Sequence, residues 1–248
     1  MLLVVLLTLA QGLVGVTVVL EGSRTSYAQF RQWRGGANST LRLEFSTRRA
    51  DALLLYTDNR QTGEYAQLSL VGGAVRLRFN WGGGRAGMIE AGKDLNLLKR
   101  KSKNDDDHEA SEDENWHSVV LLNSASETTL LVDRAFRARA TFVRARANRK
   151  RPPKAEPRLE HPNHFANHSS NSYVYVGGLP SWYETRLSSL ALPTVTLEPR
   201  LKGSVRKLAY RDVLGKAEVE QEMMAYKVSV LSFLLSLAMH CNARHVLR

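Results

Sequence analysis

Between residues 134 and 158 the chain carries ten Arg or Lys residues and a single acid, Glu156. A guanidinium presents a planar fork of donors that matches sulfate or phosphate in bidentate contact. Arg137, Arg139, Arg144, Arg146, Arg149, Lys150, Arg151 and Lys154 therefore form a candidate polyanion-binding set. The competing reading is a solvated loop that needs no partner. The stretch lacks the interleaved aromatics on which single-stranded nucleic acid stacks. An acid-rich segment, 99–115, sets seven acids against four bases, so the basic block supplies most of the net charge of +11.

Other groupings carry less chemistry. Gly82-Gly-Gly-Arg-Ala-Gly87 fits G-x-G-x-x-G. A dinucleotide site needs that motif to open a helix inside a βαβ unit, and neither follows, so the segment reads as a loop between strands. His161, His164 and His168 are the one histidine cluster. Their spacing, on a Pro- and Asn-rich stretch with no cysteine nearby, is poor for zinc. No Ser/His/Asp or Cys/His set has nucleophile context, and no carboxylate pair stands out. The chain is not expected to be an enzyme. Asn38-Ser-Thr40 and Asn167-His-Ser169 are acceptors for N-glycosylation if the chain enters the secretory pathway.

The elements that must position these residues alternate in period 2. Leu41, Leu43 and Phe45 share one strand face, with Arg42 and Glu44 on the other, and 75–79 repeats the pattern with Arg76 and Arg78 outward. Tyr173-Val-Tyr-Val mixes aromatic and β-branched residues, as suits a sheet covered on both faces. Turn signals separate the runs at Asp58-Asn59, Gly72-Gly73, Gly82-Gly83-Gly84 and Gly177-Gly178. Many short strands with few amphipathic helices predict an all-β sandwich.

The ends differ in kind. Residues 1–20 carry no charge and are almost wholly apolar, which reads as a cleaved secretory signal, with a signal anchor or a first sandwich strand from Val16 to Leu20 as the alternatives. Residues 217–225 favour helix, and the apolar run 228–239 is short for a membrane span. Residues 216–248 are therefore expected to be a helical, apolar tail that docks on the sandwich or on a membrane. With Cys241 the only cysteine of 248 residues, no intrachain disulfide is available, and the fold must rest on its core.

Several segments, taken in order, resemble the laminin G family. Tyr173-Val-Tyr-Val-Gly-Gly-Leu-Pro180 and Leu201-Lys-Gly-Ser-Val-Arg-Lys-Leu-Ala-Tyr-Arg-Asp212 resemble its closing strands, and Trp116-His-Ser-Val-Val120 with Thr129-Leu-Leu-Val-Asp133 its central pair. Leu41 to Ser46 with Ala52 to Asp58, and Tyr65 to Leu70 with Gly73 to Asn80, resemble the hairpins before them. The similarity is greatest to the first such domain of neurexins, of invertebrate type. It implies a laminin G-like antiparallel β-sandwich of jelly-roll, concanavalin-like form over 21–215, interrupted by a charged loop (99–115) and a basic loop (134–170). At least ten strands and no helix longer than eight residues are expected between Glu21 and Asp212, with Trp116, Val119, Leu131, Val174 and Val176 buried.

The resemblance also implies function: a secreted or cell-surface module that binds extracellular or cell-surface proteins in adhesion or synaptic recognition. It turns the basic block away from nucleic acid and toward sulfated glycosaminoglycans, which makes a carbohydrate-binding, lectin-like domain the alternative. Relatives often hold one Ca²⁺ at the sandwich rim through an acidic side chain, backbone carbonyls and a further oxygen, as a hard cation requires. By register the acid falls at Glu64, a carbonyl near Trp81, and the further oxygen at Arg211, which cannot supply one. Asp58 and Asp212 are the available substitutes.

Overall fold

The computed structural model describes residues 17–33, 35–93, 95, 115–142, 173–212 and 217–227. Among them run fourteen strands: β1 (Val18–Glu21), β2 (Tyr27–Phe30), β3 (Ser39–Thr47), β4 (Ala52–Asn59), β5 (Glu64–Val71), β6 (Ala74–Asn80), β7 (Ala86–Ala91), β8 (His117–Asn123), β9 (Glu127–Val132), β10 (Phe136–Thr141), β11 (Val174–Val176), β12 (Lys202–Arg211), β13 (Val219–Glu220) and β14 (Met223–Lys227). The described helical turns are short 3₁₀ pieces at Ser181–Glu184, Leu187–Ser189 and Pro193–Leu197. One sheet has the order β1-β12-β3-β8-β9-β10, with β13 also on β12. The other has the order β14-β2-β11-β4-β5-β6-β7. All the strand pairs within them are antiparallel. The expected all-β sandwich is the observed fold.

Period-2 alternation sends Leu41, Leu43 and Phe45 of β3 and Val119 and Leu121 of β8 into the space between the sheets, where Leu68, Leu70, Val75, Leu77 and Phe79 meet them. Each such side chain contributes about 1.5–3 kcal/mol through burial. In β4 the alternation breaks and every residue is buried. A bulge between Leu53 and Leu55 turns Leu54 and Leu55 to the main core. Leu53 and Tyr56 instead face a second apolar cluster with Tyr175, Leu179, Tyr183, Leu190 and Val195. The crossover 181–198 thus roofs the outer face of β4 and β11, and this is why Ala52 to Tyr56 and β11 carry no outward polar face.

Three expectations are corrected. Trp116 is half-buried, because His117, Val119, Leu121 and Asn123 hold the inward phase of this stretch and Trp116 belongs to the opposite one. Its ring is covered by the guanidinium of Arg206, 3.8 Å from the centroid, while His117 packs on Phe45 at 5.4 Å. Leu131 is likewise half-buried, with Leu130 and Val132 inward. The phase there is set by the turn 133–135, in which Asp133 and Arg134 adopt left-handed φ of 50° and 58°. Finally, 219–227 forms strands where helix was expected. β13 pairs with β12 and β14 with β2, so two unfilled sheet edges override local helix propensity. Val119, Val174 and Val176 are buried as expected. The segment before Glu21 contributes β1, paired to β12 from Val18↔Val205 to Glu21↔Lys202.

Candidate recognition site at the sandwich rim

Antiparallel pairing brings one set of loops to a common rim. Ser39 pairs with Asn123, and Asn59 with Glu64, while Tyr65 pairs with Asn80 and Asn80 with Ala86. The loop before β3, the β4–β5 turn, the β6–β7 turn and the β8–β9 turn therefore share this rim. The fully buried Trp33, which the sequence reading did not single out, anchors it through an edge contact with Trp81 at 5.8 Å. Trp81 stacks in turn on Phe79 at 5.4 Å and donates its indole N–H to the Thr128 hydroxyl at 2.9 Å. Thr128 donates to Asn123 Oδ1, and the Asn123 amide donates to the carbonyls of Gly35 and Gly36 at 2.8 and 3.1 Å. This hydrogen-bonded chain from Trp81 through Thr128 and Asn123 to the Gly35 and Gly36 carbonyls ties the floor of the rim together.

Above that floor the expected calcium residues do not all converge. Glu64 and Trp81 do come together, one step beyond the pair Tyr65↔Asn80. Thr62 donates to Glu64 Oε2 at 2.9 Å. Glu64 Oε1 lies so close to Gly82 that a Cβ there would sit 2.7 Å from it, and Gly82 adopts a φ of 70°. The carbonyl of Trp81, however, accepts a hydrogen bond from Arg85 Nη2 at 3.1 Å, and the carbonyl of Ser124 accepts one from Arg85 Nη1 at 3.4 Å. Burial pulls the pKa of Arg85 below its ordinary value, against the field of Glu64.

Asp58 does not join this set. It points to the outer face of its sheet, where its Oδ2 accepts from the Tyr56 hydroxyl at 2.7 Å and from the Ala191 N–H at 2.8 Å. Desolvation raises its pKa despite these two bonds. Asp212 follows the end of β12 in the other sheet, one step beyond the pair Arg211↔Thr40 and so at the same rim as Ser39. The residues beside Glu64 thus fit a calcium ion poorly: the Trp81 carbonyl is engaged by a guanidinium, Asp58 is committed elsewhere, Arg211 stands where a side-chain oxygen is wanted, and Asp212 is itself partnered. Among the described residues, no cluster of three or more His, Cys, Asp or Glu side chains could hold a metal.

Of the basic set, Arg137 and Arg139 are described. They stand on the outward face of edge strand β10, with side chains 56% and 59% exposed, while Phe136, Ala138 and Ala140 pack inward. Glu127, across the hairpin, lies 3.7 Å from Arg137 and 3.5 Å from Arg139. The Thr129 hydroxyl first, and then these two arginines, hold the Glu127 carboxyl below the usual range. Arg144, Arg146, Arg149, Lys150, Arg151, Lys154 and Asn167 lie outside the described residues, as do the histidine cluster, the acidic segment 99–114, and residues 1–16 and 228–248. The described chain ends at Phe142 and resumes at Tyr173, both at this rim. Phe142 donates its N–H to the Ser126 carbonyl at 2.7 Å, within the β8–β9 turn, and Tyr173 enters β11 from the same side. Asn38 is exposed on this rim as well, with φ 67°. No described helix is long and apolar enough to cross a membrane.

At the opposite rim a shallow hollow is lined by Glu44, Trp116, Ser118, Asp133, Arg134 and Arg206. Its carboxylates are already paired. Desolvation works upward on Glu44, but Arg206 and Lys207 hold its carboxyl below the ordinary value, and Asp133 takes the His117 ring and the Ser118 N–H, both at 2.7 Å.

A family model described as "Laminin G domain" matches residues 45–213. Neurexin 1 of Drosophila melanogaster is 38% identical over 204 residues, which is 82% of this chain and 9% of that protein. Neurexin-2 of Mus musculus is 31% identical over 208 residues, 83% of this chain and 10% of that one. The chain thus spans about a tenth of the length of the curated relatives it matches. Among solved structures, the LG1-3 region of the laminin alpha2 chain superposes with a TM-score of 0.51 at 17% identity, over 86% of this chain and 35% of that one. Domains LG4-5 of the mouse laminin alpha1 chain give the same score and identity over 89% and 50%.

Proposed function

Since the chain belongs to the laminin G domain family, whose neurexin and laminin members are non-enzymatic binding modules, we propose that it serves outside the cell or on its surface, recognising other proteins in adhesion or synaptic contact. The observation that carries this reading is the rim. A closed core and a rigid, hydrogen-bonded floor present exposed loops at one end of the sandwich, with no acid, base and nucleophile set converging among the described residues. Loops held by a rigid scaffold are where recognition is commonly built. The kinship with neurexins at 38% and 31% identity supports the adhesive setting.

A specific observation favours glycosaminoglycan as a second ligand of the same module. Arg137 and Arg139, the described members of the basic set, present two guanidinium groups on one face of β10, and that strand runs toward the recognition rim, where Phe142 bonds to Ser126. One experiment addresses both readings. The secreted chain is applied to cells displaying surface proteins and to a heparin column, and compared with a variant in which Arg144, Arg146, Arg149, Lys150 and Arg151 are neutral. Attraction of this kind is screened within about 8 Å at physiological salt. Heparin retention is expected to fall steeply with salt in the parent and to vanish in the variant, while binding to a protein partner on cells stripped of glycosaminoglycan persists. Elution of both proteins at the same salt would refute the polyanion role, and loss of all cell binding on stripping would refute protein recognition.

A further inference from the structure

We propose that Arg85 is a tethered cation that fills the rim position where relatives place calcium, so that this rim is organised without a metal ion. The chemistry of the contacts carries the inference. A hard cation at the mouth of β5 and β6 would need the Glu64 carboxylate and neighbouring carbonyl oxygens. The Trp81 carbonyl, the one such oxygen placed beside Glu64, is aimed instead at one terminal nitrogen of a guanidinium, at 3.1 Å, whose other terminal nitrogen donates to the Ser124 carbonyl at 3.4 Å. Glu64 supplies the favourable field for that charge.

The tether is short and closed. Trp81 N–H donates to the Arg85 carbonyl at 2.9 Å and Arg85 N–H to the Gly82 carbonyl at 3.0 Å, so the turn that offers the carbonyl also delivers the cation that occupies it. Through Ser124 the guanidinium joins the β6–β7 turn of one sheet to the β8–β9 turn of the other, beside the Trp81–Thr128 hydrogen bond. Glu64 is fixed from its other oxygen by Thr62, and the Gly82 backbone passes against its Oε1, so the carboxylate is directed rather than free. A guanidinium keeps its charge at any physiological pH. A chelator or a fall in calcium therefore leaves the charge of this rim unchanged.

The test uses terbium luminescence, sensitised by Trp81, with calcium calorimetry and thermal melting on the whole secreted chain. The native protein is expected to show no saturable terbium emission below about millimolar metal and the same melting temperature in calcium as in chelator. Arg85→Ala opens the carbonyls and is expected to gain a site with Kd in the range of about 10⁻⁴–10⁻³ M found for extracellular calcium modules. Adding Glu64→Gln to it should remove that site. Arg85→Met, which keeps the apolar stem without the charge, repeats the comparison if the alanine variant does not fold. Calcium binding by the native chain that Glu64→Gln abolishes would overturn the proposal. So would a folded, charge-free variant whose metal response equals that of the native protein.

Discussion

The carboxyl of Asp58 offers the sharpest quantitative test of how the second apolar cluster is held. It is only 7% exposed, and its one oxygen Oδ2 serves two donors, the Tyr56 hydroxyl and the Ala191 N–H. Tyr56 in turn accepts from the Leu192 N–H at 3.2 Å, so Asp58 and Tyr56 together fasten the crossover 181–198 to β4. Asp58→Ala removes the acceptor and strands both donors. A buried group left without its partner costs about 1–3 kcal/mol, so the pair should cost roughly 2–6 kcal/mol, before any relaxation of the crossover. For a domain of this size each kcal/mol shifts Tm by about 2–4 °C. Asp58→Asn has nearly the same shape and keeps a carbonyl oxygen where Oδ2 stood. It should lose little or nothing at neutral pH, because it also removes a carboxylate from an environment that resists charging.

The pH dependence separates these effects. Burial raises the folded-state pKa of Asp58, so the folded protein binds its proton more tightly than the unfolded chain does. Below the unfolded value the carboxyl is protonated in both states and its contribution to stability is fully present. As pH rises from there through the folded pKa, that contribution is lost. The amide of the Asp58→Asn variant does not titrate. Its stability relative to the parent should therefore improve as pH rises from the ordinary carboxylate range toward neutrality, as read by denaturant unfolding at a series of pH values. A difference that is flat with pH, or an asparagine variant as unstable as the alanine one, would refute the reasoning.

Two further substitutions and one modification test the rest. Trp33→Ala removes a ring buried without residual exposure and should cost about 3–5 kcal/mol. Trp116→Ala should cost about 1 kcal/mol, the size of one partly solvated cation–π contact with Arg206, and equal losses in thermal melting would contradict the phase assigned to 116–123. Asn38, exposed and in the left-handed region, should carry glycan in secreted protein. Asn38→Asp, which tolerates the same φ, should lower the mass by one glycan without changing the melting temperature, and an unchanged mass would refute modification there.

What the sequence revealed depended on how many independent signals met at each position. Strands β3 and β6 alternate so plainly, between turn residues, that their inward faces were legible from residue types alone. Trp116 and Leu131 show where that reading fails. An aromatic or a leucine at the start or middle of a strand looks like core, but a shift of one residue moves the whole set to the other face. The register is set by the three-residue turn 133–135 and by His117 taking the inward place against Phe45. The tail misled for a related reason. Residues 217–225 favour helix by local propensity, although the spacing of two between Glu218, Glu220 and Glu222 is itself a strand pattern, and the bare edges that recruit β13 and β14 are a tertiary fact.

The rim was half legible, and the missing half decides its chemistry. Register sets Glu64 beside Trp81, because pairing along a hairpin propagates from its turn. It could not place Arg85. Within Gly82-Gly-Gly-Arg-Ala-Gly87 that residue looks like punctuation in a glycine loop, and its role depends on where a turn of left-handed glycines aims a long side chain. Gly82, Gly83 and Gly84 at φ of 70°, 58° and 79° bend the backbone back so that the Arg85 carbonyl meets the Trp81 N–H. The guanidinium then reaches the carbonyl of Trp81 in the same turn. The glycines that most resembled a phosphate cradle are therefore what deliver a positive charge inward, and a rim already holding its own cation would repel a second one.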